Sequence, residues 1–428
     1  MKIIKVNGLT PIQSGMLFQY MLSNDKSSYM GTEIFELEGN INSDIFKSVL
    51  EKISDEYEVF RTNVIYDKID VPKSVVIDKR TIPFEFHKAV TDEEIKLLTY
   101  KINAEQFEKG FDIQRDSLIR LDLIVGENSS VIIFSFHHIL MDGYCAAMIA
   151  DIIMKNYGKL LGRQIENDGE YVPFSAYQDW IIIQDMSQSR EYWHEYLKDI
   201  SPVQPLELIQ FGSDRKKDVG HSSLTVEFTP SETKELLSAA AAGNATLNIY
   251  MQWLWGITLC RNFSCDKAVF GTVVSYRPAE FSNAERVLGP MINTVPVVFE
   301  CSSDIKITEQ LNAFRRSFLD SMEHSWIGLG EISKAVEDCK NLIDHLFVYD
   351  NFPEMDFGSI KENTGFQVKN FKLEERTEYA LTLEVSKTDR IRIRFNFNSG
   401  RYSAESIERL AELYKNICVS AVNAQYPK

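Results

Sequence analysis

The side chains with the clearest chemical potential are two adjacent histidines, His137 and His138, followed after three apolar residues by Asp142 and Gly143. Imidazole takes up and releases protons near neutral pH, so either histidine could act as a base. An imidazole followed by a loop that ends in Asp142-Gly143 would lie beside accessible backbone amides, which suits acyl transfer to an amine. A bare pair of histidines is more often part of a core or its rim, so the surrounding sequence must decide between these interpretations.

A hairpin is predicted immediately before the two histidines. Alternating apolar residues predict a strand at Ile119–Val125, and after a Gly-Glu-Asn-Ser-Ser turn the apolar run Val131–Phe136 predicts a strand buried on both faces. A helix rich in Ala and Ile is predicted at Ala146–Tyr157. Because successive side chains of a strand point to opposite faces, we expect His137 to face the core and His138 to face the site.

Length, composition and charge narrow the class of protein. The chain has 428 residues, of which 44% are hydrophobic and 25% charged, and its formal net charge is −16. This composition is globular, and the length favours two domains or two joined halves. The negative charge opposes nucleic-acid binding. No signal peptide and no apolar run of about 20 residues is visible, so we expect a cytoplasmic, monomeric protein without a membrane partner.

The remaining patterns predict α/β sandwiches on both sides of a boundary near residue 180. The predicted domains are 1–180, which carries the two histidines, and 181–428. Apolar density falls between them, where the Asn167–Gly169 turn and the charged segment Asp214–Asp218 indicate a connection.

Each half has its own predicted helices and strands. The first half is expected to begin with a helix at 9–23, with Thr10 as N-cap and Pro11 in the first turn, and to continue with a helix from Ser43. The second half is predicted to contain strands at 224–228, 268–275, 295–299 and 391–397 and helices at 246–262, 308–322 and 404–423.

The cysteines do not indicate a metal site or a disulfide framework, because none is spaced as a CxxC pair. We expect reduced, mostly buried thiols at Cys145, Cys260, Cys265, Cys301, Cys339 and Cys418. Cys145 follows Asp142 closely and could be a nucleophile, although a free cysteine is commonly a small buried hydrophobe. Without a glycine-rich phosphate loop, neither metal nor nucleotide binding is expected.

The segment Phe136–Gly143 resembles the HHxxxDG signature of the condensation domains of nonribosomal peptide synthetases, and the resemblance extends over most of the chain. Leu9–Phe18 is similar to that family's first motif and Phe60–Thr62 to its arginine-bearing second motif. Later similar segments are Pro173–Trp180, Phe270–Pro278, Leu288–Thr294 and His345–Pro353. The chain departs from the family pattern at Tyr144, where Trp or Val is frequent, and at Tyr276, where Gly is common.

The resemblance implies a fold and a reaction. The fold would be two chloramphenicol-acetyltransferase-like halves arranged as a V-shaped pseudo-dimer with a central tunnel. The reaction would be attack by the α-amine of an acceptor aminoacyl thioester on a donor aminoacyl or peptidyl thioester, giving an amide. Upstream donor and downstream acceptor carrier proteins would present both substrates on phosphopantetheine arms, beside a neighbouring adenylation domain. The domain itself would bind no cofactor.

The resemblance also implies roles for individual residues. His138 would take a proton from the amine or orient it, and the sequence leaves these two roles open. Asp142 would anchor its loop through an ion pair, with Arg277 as the first choice of partner and Arg61 as the alternative, because a lone buried carboxylate is costly. Gly143 would let the backbone approach the thioester oxygen. The residues expected to line the tunnel or brace its floor are Tyr144, Trp180, Ser275 and Asn293.

Three other functions match part of the pattern. An acyltransferase that uses coenzyme A would share an HxxxD core, but the double histidine and the later motifs argue against it. An epimerisation domain would use the same histidine, but Leu9–Gln13 and Ile139–Met141 favour condensation. A non-catalytic binding module would usually lack the second histidine. The donor and acceptor residues stay open, and the Gly15–Phe18 and Ile139–Met141 variants favour a D-configured donor terminus.

Overall fold

The computed structural model describes residues 2–23, 25–39, 41–165, 169, 171–200, 220–301, 306–336, 342–350, 357–375 and 377–425. Four features of the sequence analysis lie outside these residues, namely Asn167–Asp168, the charged segment 214–218, Cys339 and the end of the late motif at 351–353. No helix in the described part of the chain is long and apolar enough to cross a bilayer.

The strands and helices follow one another in a mixed order along the chain. The strands are β1 (Ile3–Gly8), β2 (Met30–Glu38), β3 (Thr62–Ile65), β4 (Lys73–Ile77), β5 (Phe84–Lys88), β6 (Ile119–Val125), β7 (Ser129–His137), β8 (Val172–Pro173), β9 (His221–Glu227), β10 (Lys267–Ser275), β11 (Val287–Leu288), β12 (Ile292–Glu300), β13 (Leu346–Tyr349), β14 (Gln367–Glu375), β15 (Leu381–Lys387) and β16 (Ile391–Asn398). The α-helices are α1 (Pro11–Ser23), α2 (Ser43–Glu56), α3 (Asp92–Lys109), α4 (Gly143–Leu160), α5 (Phe174–Ile182), α6 (Ser187–Leu197), α7 (Pro230–Ala242), α8 (Leu247–Phe263), α9 (Ile307–Glu323), α10 (Leu329–Ile332), α11 (Phe357–Thr364) and α12 (Ala404–Gln425).

The chain divides into two compact units. Unit 1 consists of Met1–Asp185, Arg277–Met291 and Phe352–Glu378, and unit 2 consists of Met186–Tyr276, Ile292–Asn351 and Tyr379–Lys428. This division differs from the predicted one, which assigned all of 181–428 to the second half. The chain returns to unit 1 because β14 pairs with β2, a long-range pairing that local sequence patterns do not reveal.

Unit 1 is built on a five-stranded sheet in the order β14-β2-β7-β6-β5. Its pairs are antiparallel except for β5 and β6. Strand β7 lies at the centre of the sheet and is buried along almost its whole length, as its apolar run predicts. The predicted hairpin of β6 and β7 is present, with Ile119 opposite Phe136. The end of β7 is therefore held by paired strands on both sides.

Unit 2 is built on a six-stranded sheet in the order β12-β10-β13-β15-β16-β9. Helices α8 and α12 supply much of its core, which includes the fully buried Tyr250, Trp253, Trp255 and Tyr414. The helices predicted at 246–262, 308–322 and 404–423 are present as α8, α9 and α12. Unit 2 therefore has an apolar core with its own sheet and helices.

Capping side chains set where the helices of unit 1 begin. The side chain of Thr10 accepts from the backbone N–H of Gln13 (3.3 Å), as expected of an N-cap before Pro11. Helix α4 begins at Gly143, three residues earlier than predicted, because the Asp142 carboxylate accepts from the N–H of Cys145 (2.9 Å). The helix therefore begins directly after Asp142 in the histidine loop.

Candidate active site

The loop that carries the histidines is short and fixed at both ends. Strand β7 ends at His137 and helix α4 begins at Gly143. The backbone N–H of His138 donates to the carbonyl of Tyr29 (2.8 Å), and that of Leu140 donates to the carbonyl of His137 (3.0 Å). These bonds turn the chain as soon as the strand ends, and they hold the loop from His138 to Asp142 in one conformation.

Two buried amide side chains support the same loop. Gln13 of α1 donates from Nε2 to the carbonyl of Ile139 (2.8 Å), and its Oε1 accepts from Nε2 of Gln178 in α5 (2.9 Å). Both glutamines are buried, so their amides satisfy each other and the loop in place of water. Both lie in segments that resemble family motifs, and that position is the signal that could have identified them.

His137 faces the core, as the alternation of the strand predicts. Its ring is fully buried and meets the rings of Tyr20 and Phe111 edge-on. Nδ1 accepts from the backbone N–H of Ile139 (3.0 Å). Burial lowers the pKa of His137 to about 3, and the neighbouring His138 adds to this effect. His137 is therefore a neutral packing residue that fixes the start of the loop.

His138 lies in different surroundings. Its Nε2 is 3.1 Å from Oε1 of Glu375, and its ring meets that of Phe136 edge-on. Burial acts to lower the pKa of His138, but the charge and hydrogen bond of Glu375 and the charge of Asp142 outweigh it, so the pKa is raised. His138 is therefore firmly held, and its acidic neighbours raise its pKa.

Glu375, the partner of His138, was not expected from the sequence. It is the last residue of β14 and lies opposite Gly31 of β2, which in turn lies opposite Phe136 of β7. A Cβ at Gly31 would come 2.6 Å from the Phe136 ring, so glycine lets that ring lie across β2 and against His138. Only the register of three strands brings Glu375 to His138, and no short sequence motif encodes that register.

Asp142 anchors the other end of the loop. Its side chain is fully buried. Oδ1 accepts from the N–H of Cys145 (2.9 Å), Oδ2 accepts from the N–H of Met291 (2.9 Å), and Nη2 of Arg277 is 3.6 Å from Oδ2. Both carboxylate oxygens are therefore occupied by donors within unit 1. The contact with Cys145 caps helix α4, and the contacts with Met291 and Arg277 connect the loop to the 277–291 segment.

The two arginines proposed as partners of Asp142 have different contacts. Arg277 pairs with Asp142, donates from Nη1 to the carbonyl of Ala284 (2.7 Å) and lies over the Tyr144 ring, 4.0 Å from its centroid. Arg61 donates instead to the carbonyls of Ser54 (2.7 Å) and Ile77 (2.8 Å). Arg61 therefore joins the end of α2 to β4, in contrast to the prediction that it supports the site.

The first turn of α4 contains Gly143, Tyr144 and Cys145. Gly143 is buried, and Tyr144 is partly buried beneath Arg277. The Cys145 thiol donates to the carbonyl of Gly289 (3.0 Å), and burial, together with the charge of Asp142, raises its pKa far above the ordinary range. A thiol that stays protonated is a poor nucleophile, so Cys145 has a packing role.

The remaining predicted tunnel residues are divided between the units. Trp180 of unit 1 stacks on Tyr177 and contacts Phe281.

Ser275 and Asn293 belong to unit 2, where Ser275 is exposed at the end of β10. Asn293 is buried, and its Nδ2 donates to the carbonyls of Ser325 and Ile327 (both 2.6 Å). These contacts are those of a brace between backbone segments, and a lining role stays a prediction for all three.

Solved structures share this fold. The condensation domain of the monacolin K polyketide synthase matches with a TM-score of 0.81 at 15% identity, covering 99% of this chain and 98% of that one. The first condensation domain of the calcium-dependent antibiotic synthetase, in complex with a substrate analogue, matches with a TM-score of 0.79 at 15% identity, covering 98% and 97%. The fold is that of the chloramphenicol-acetyltransferase-like class.

The sequence comparisons name the family. Residues 4–424 match the Condensation domain family. The chain is 30% identical to gramicidin S synthase 2 of Aneurinibacillus migulanus over 97% of its own length and spans 9% of that relative. It is also 28% identical to tyrocidine synthase 2 of Brevibacillus parabrevis over 97% of its own length and spans 12% of that relative. The chain belongs to the Condensation domain family.

Proposed function

We propose that this chain forms an amide bond between a donor aminoacyl or peptidyl thioester and the α-amine of an acceptor aminoacyl thioester, both presented on phosphopantetheine arms of carrier proteins. The observation that carries this proposal is the position of His138, a firmly held imidazole at the end of β7 beside the Asp142-capped start of α4. The family match over 4–424 supports it.

The chemistry needs alignment and one proton acceptor. An amine is already a good nucleophile toward a thioester once it is aligned and unprotonated, so no covalent enzyme intermediate is required. Attack forms the C–N bond and leaves a positive nitrogen and a negative oxygen on the intermediate. His138 takes a proton from that nitrogen and returns it to the thiolate that departs as the C–S bond breaks. General acid–base assistance of this kind is worth about 10²–10⁴-fold.

The start of α4 can stabilise the negative oxygen. The first N–H groups of a helix have no acceptor within the helix, and here the Asp142 carboxylate takes that of Cys145. The N–H groups of Gly143 and Tyr144 belong to the same first turn, and we propose them as donors to the oxygen of the intermediate, where such donors lower the barrier. Gly143 contributes no side chain to obstruct this approach.

The similar proteins support the proposed partners. A four-domain nonribosomal peptide synthetase bound to AMP and glycine matches with a TM-score of 0.81 over all of this chain and 34% of its own. This match and the multidomain synthetases among the relatives support action as one domain of such an assembly, beside carrier and adenylation domains. The V-shaped arrangement of the halves and the tunnel between them stay predictions.

The experiment that tests the function is reconstitution with two loaded carrier proteins. We expect intact-protein mass spectrometry to show the donor acyl group added to the acceptor carrier and the donor carrier returned to its free thiol. A donor that changes configuration without transfer would support epimerisation and contradict the proposal. Efficient acylation of a free small amine from coenzyme A, with none on the acceptor carrier, would also contradict it.

We propose further that the domain itself needs no metal or cofactor. Among the described residues, Glu85, His87 and Asp122 form a group of metal-ligand type. The Asp122 oxygens already accept from His87 Nε2 (3.1 Å) and Gln106 Nε2 (2.8 Å), an arrangement that satisfies a buried carboxylate. We expect a chelator to leave the single-turnover rate unchanged, and a loss that a divalent metal restores would contradict this.

A further inference from the structure

We propose that Glu375 is a positioning residue for His138, holding the ring through Nε2 and keeping it protonated until the acceptor substrate arrives. This inference rests on the proposed function, because it assigns a second residue to the same reaction. It also concerns a side chain that no signature motif of the sequence contains.

The geometry gives Glu375 this position. Oε1 of Glu375 is 3.1 Å from Nε2 of His138, and the two side chains are 22% and 10% exposed. An ionised carboxylate can only accept, so the contact requires a proton on Nε2. The Phe136 ring, which can lie across β2 because residue 31 is glycine, meets the His138 ring edge-on. The ring is thus held by an anion at one nitrogen and by an aromatic ring.

The neutral tautomer with its hydrogen on Nε2 satisfies this contact, and the surrounding charges favour the addition of a second proton, which makes the ring an imidazolium. Asp142 adds a negative charge that Arg277 partly offsets at 3.6 Å, while His137 and Cys145 stay neutral through burial. Glu33, on the neighbouring strand β2, is a further ionisable group among the described residues, and its pKa responds to the charge of Glu375.

Glu33 holds its proton more tightly than an ordinary glutamate does. Burial, together with the charge of Glu375, raises its pKa to about 8. Of the two carboxyl groups, Glu375 is the more exposed, and its Oε1 faces Nε2 of His138. Like charges this close cannot both ionise without cost.

A His138 ring that is protonated before the acceptor substrate binds can still act as the base in the reaction. A carboxylate partner makes imidazole a stronger base, which suits removal of a proton from an amine. The acceptor amine arrives mainly as an ammonium ion and carries the same charge as the protonated ring. Because Glu375 is partly exposed, that ammonium can contact the carboxylate in place of the ring. His138 then releases its proton to water. Nε2 takes the surplus proton of the ammonium ion and passes it to water, and after attack it takes the second proton from the positive nitrogen and gives it to the departing thiolate.

The first test is an NMR titration of the histidines in wild type and in Glu375→Gln, with His138 assigned by its loss in His138→Gln. We expect the His138 midpoint to fall by about one pH unit or more in Glu375→Gln, because the neutral amide removes the counter-charge. Glu36→Gln is the matched control, since it removes the same charge from an exposed position of β2 and should leave the midpoint unchanged. Equal midpoints in wild type and Glu375→Gln would overturn the proposal.

The second test is the pH dependence of single-turnover condensation. The base must be unprotonated, so the rate rises with pH through the His138 pKa, and we expect this acid limb to move to lower pH in Glu375→Gln. Glu375→Asp retains the charge and should keep most of the wild-type limb. A limb unchanged in Glu375→Gln would overturn the role of Glu375. A wild type that forms no dipeptide would overturn the proposed function, while the titration would still decide whether Glu375 sets the protonation of His138.

Discussion

The two units differ in what they bury. Among the described residues, five buried Asp, Glu and Arg residues lie in unit 1, namely Glu33, Arg61, Arg120, Asp122 and Asp142. In unit 2, Nδ1 of the buried His345 lies 2.5 Å from Oδ1 of Asp344, whose side chain is 8% exposed, and the rest of the core is dominated by aromatic and aliphatic side chains. Burying charge is costly unless each group is paired. Unit 1 therefore depends on the pairing of several buried charges, and one of them, Asp142, anchors the histidine loop.

The largest change in stability should follow removal of the best-paired charge in unit 1. Asp142→Ala deprives Arg277, the N–H of Cys145 and the N–H of Met291 of their acceptor, so we expect a loss of about 3–5 kcal/mol in the free energy of unfolding. Asp142→Asn retains one cap oxygen and should lose less. Denaturant unfolding measures both variants. Wild-type stability in Asp142→Ala, combined with complete loss of turnover, would replace the anchoring role with a catalytic one.

Glu33 should make the stability of unit 1 depend on pH. Its pKa is raised from the usual 4.5 to about 8 in the folded protein, so the folded state holds this proton more tightly than the unfolded chain. Stability from this group is therefore present below pH 4.5 and is lost as the pH rises through about 8.

Glu33→Gln removes that dependence with little change in shape. We expect it to become more stable than wild type as the pH rises from 5 to 9, by about 2–4 kcal/mol at the upper end. Unfolding curves at several pH values test this expectation, with Glu36→Gln as an exposed control on the same strand. Parallel pH dependences in wild type and Glu33→Gln would show that Glu33 is ionised in the folded protein.

In unit 2 the corresponding effect should be smaller and independent of pH. Asn293→Ala removes two hydrogen bonds to the carbonyls of Ser325 and Ile327, which should lower the free energy of unfolding by about 1–3 kcal/mol. Because asparagine does not titrate, the loss should be the same at pH 5 and pH 9. A loss of turnover greater than the loss of folded protein would instead assign Asn293 to substrate binding.

The sequence predicts those features of the histidine site that are formed by residues close to one another in the chain. The apolar run of β7, the cap at Asp142 and the alternation of His137 and His138 follow from residues within a few positions of one another. The pairing of Asp142 with Arg277 was expected from the family resemblance and is present in the structure. The family, the fold class and the second-half helices are confirmed by the comparisons and the structure.

What local patterns do not contain is the register between distant strands. Glu375 reaches His138 only because β14 pairs with β2, and Glu33 is buried beside them for the same reason. The alternation of β6 likewise gave no sign that Arg120 and Asp122 would be buried. Arg120 lies over the Phe111 ring, and Asp122 accepts from Gln106, so each has a partner supplied by another element.

The central claim is that the chemistry belongs to His138, and single-turnover dipeptide formation by His138→Ala and His137→Ala tests it most directly. We expect His138→Ala to fold with a near wild-type melting temperature and to lose about 10²–10⁴-fold in rate. His137→Ala, which removes a fully buried packing residue, should lower the melting temperature more than the rate per folded molecule. Near-normal turnover by a folded His138→Ala protein would contradict the account.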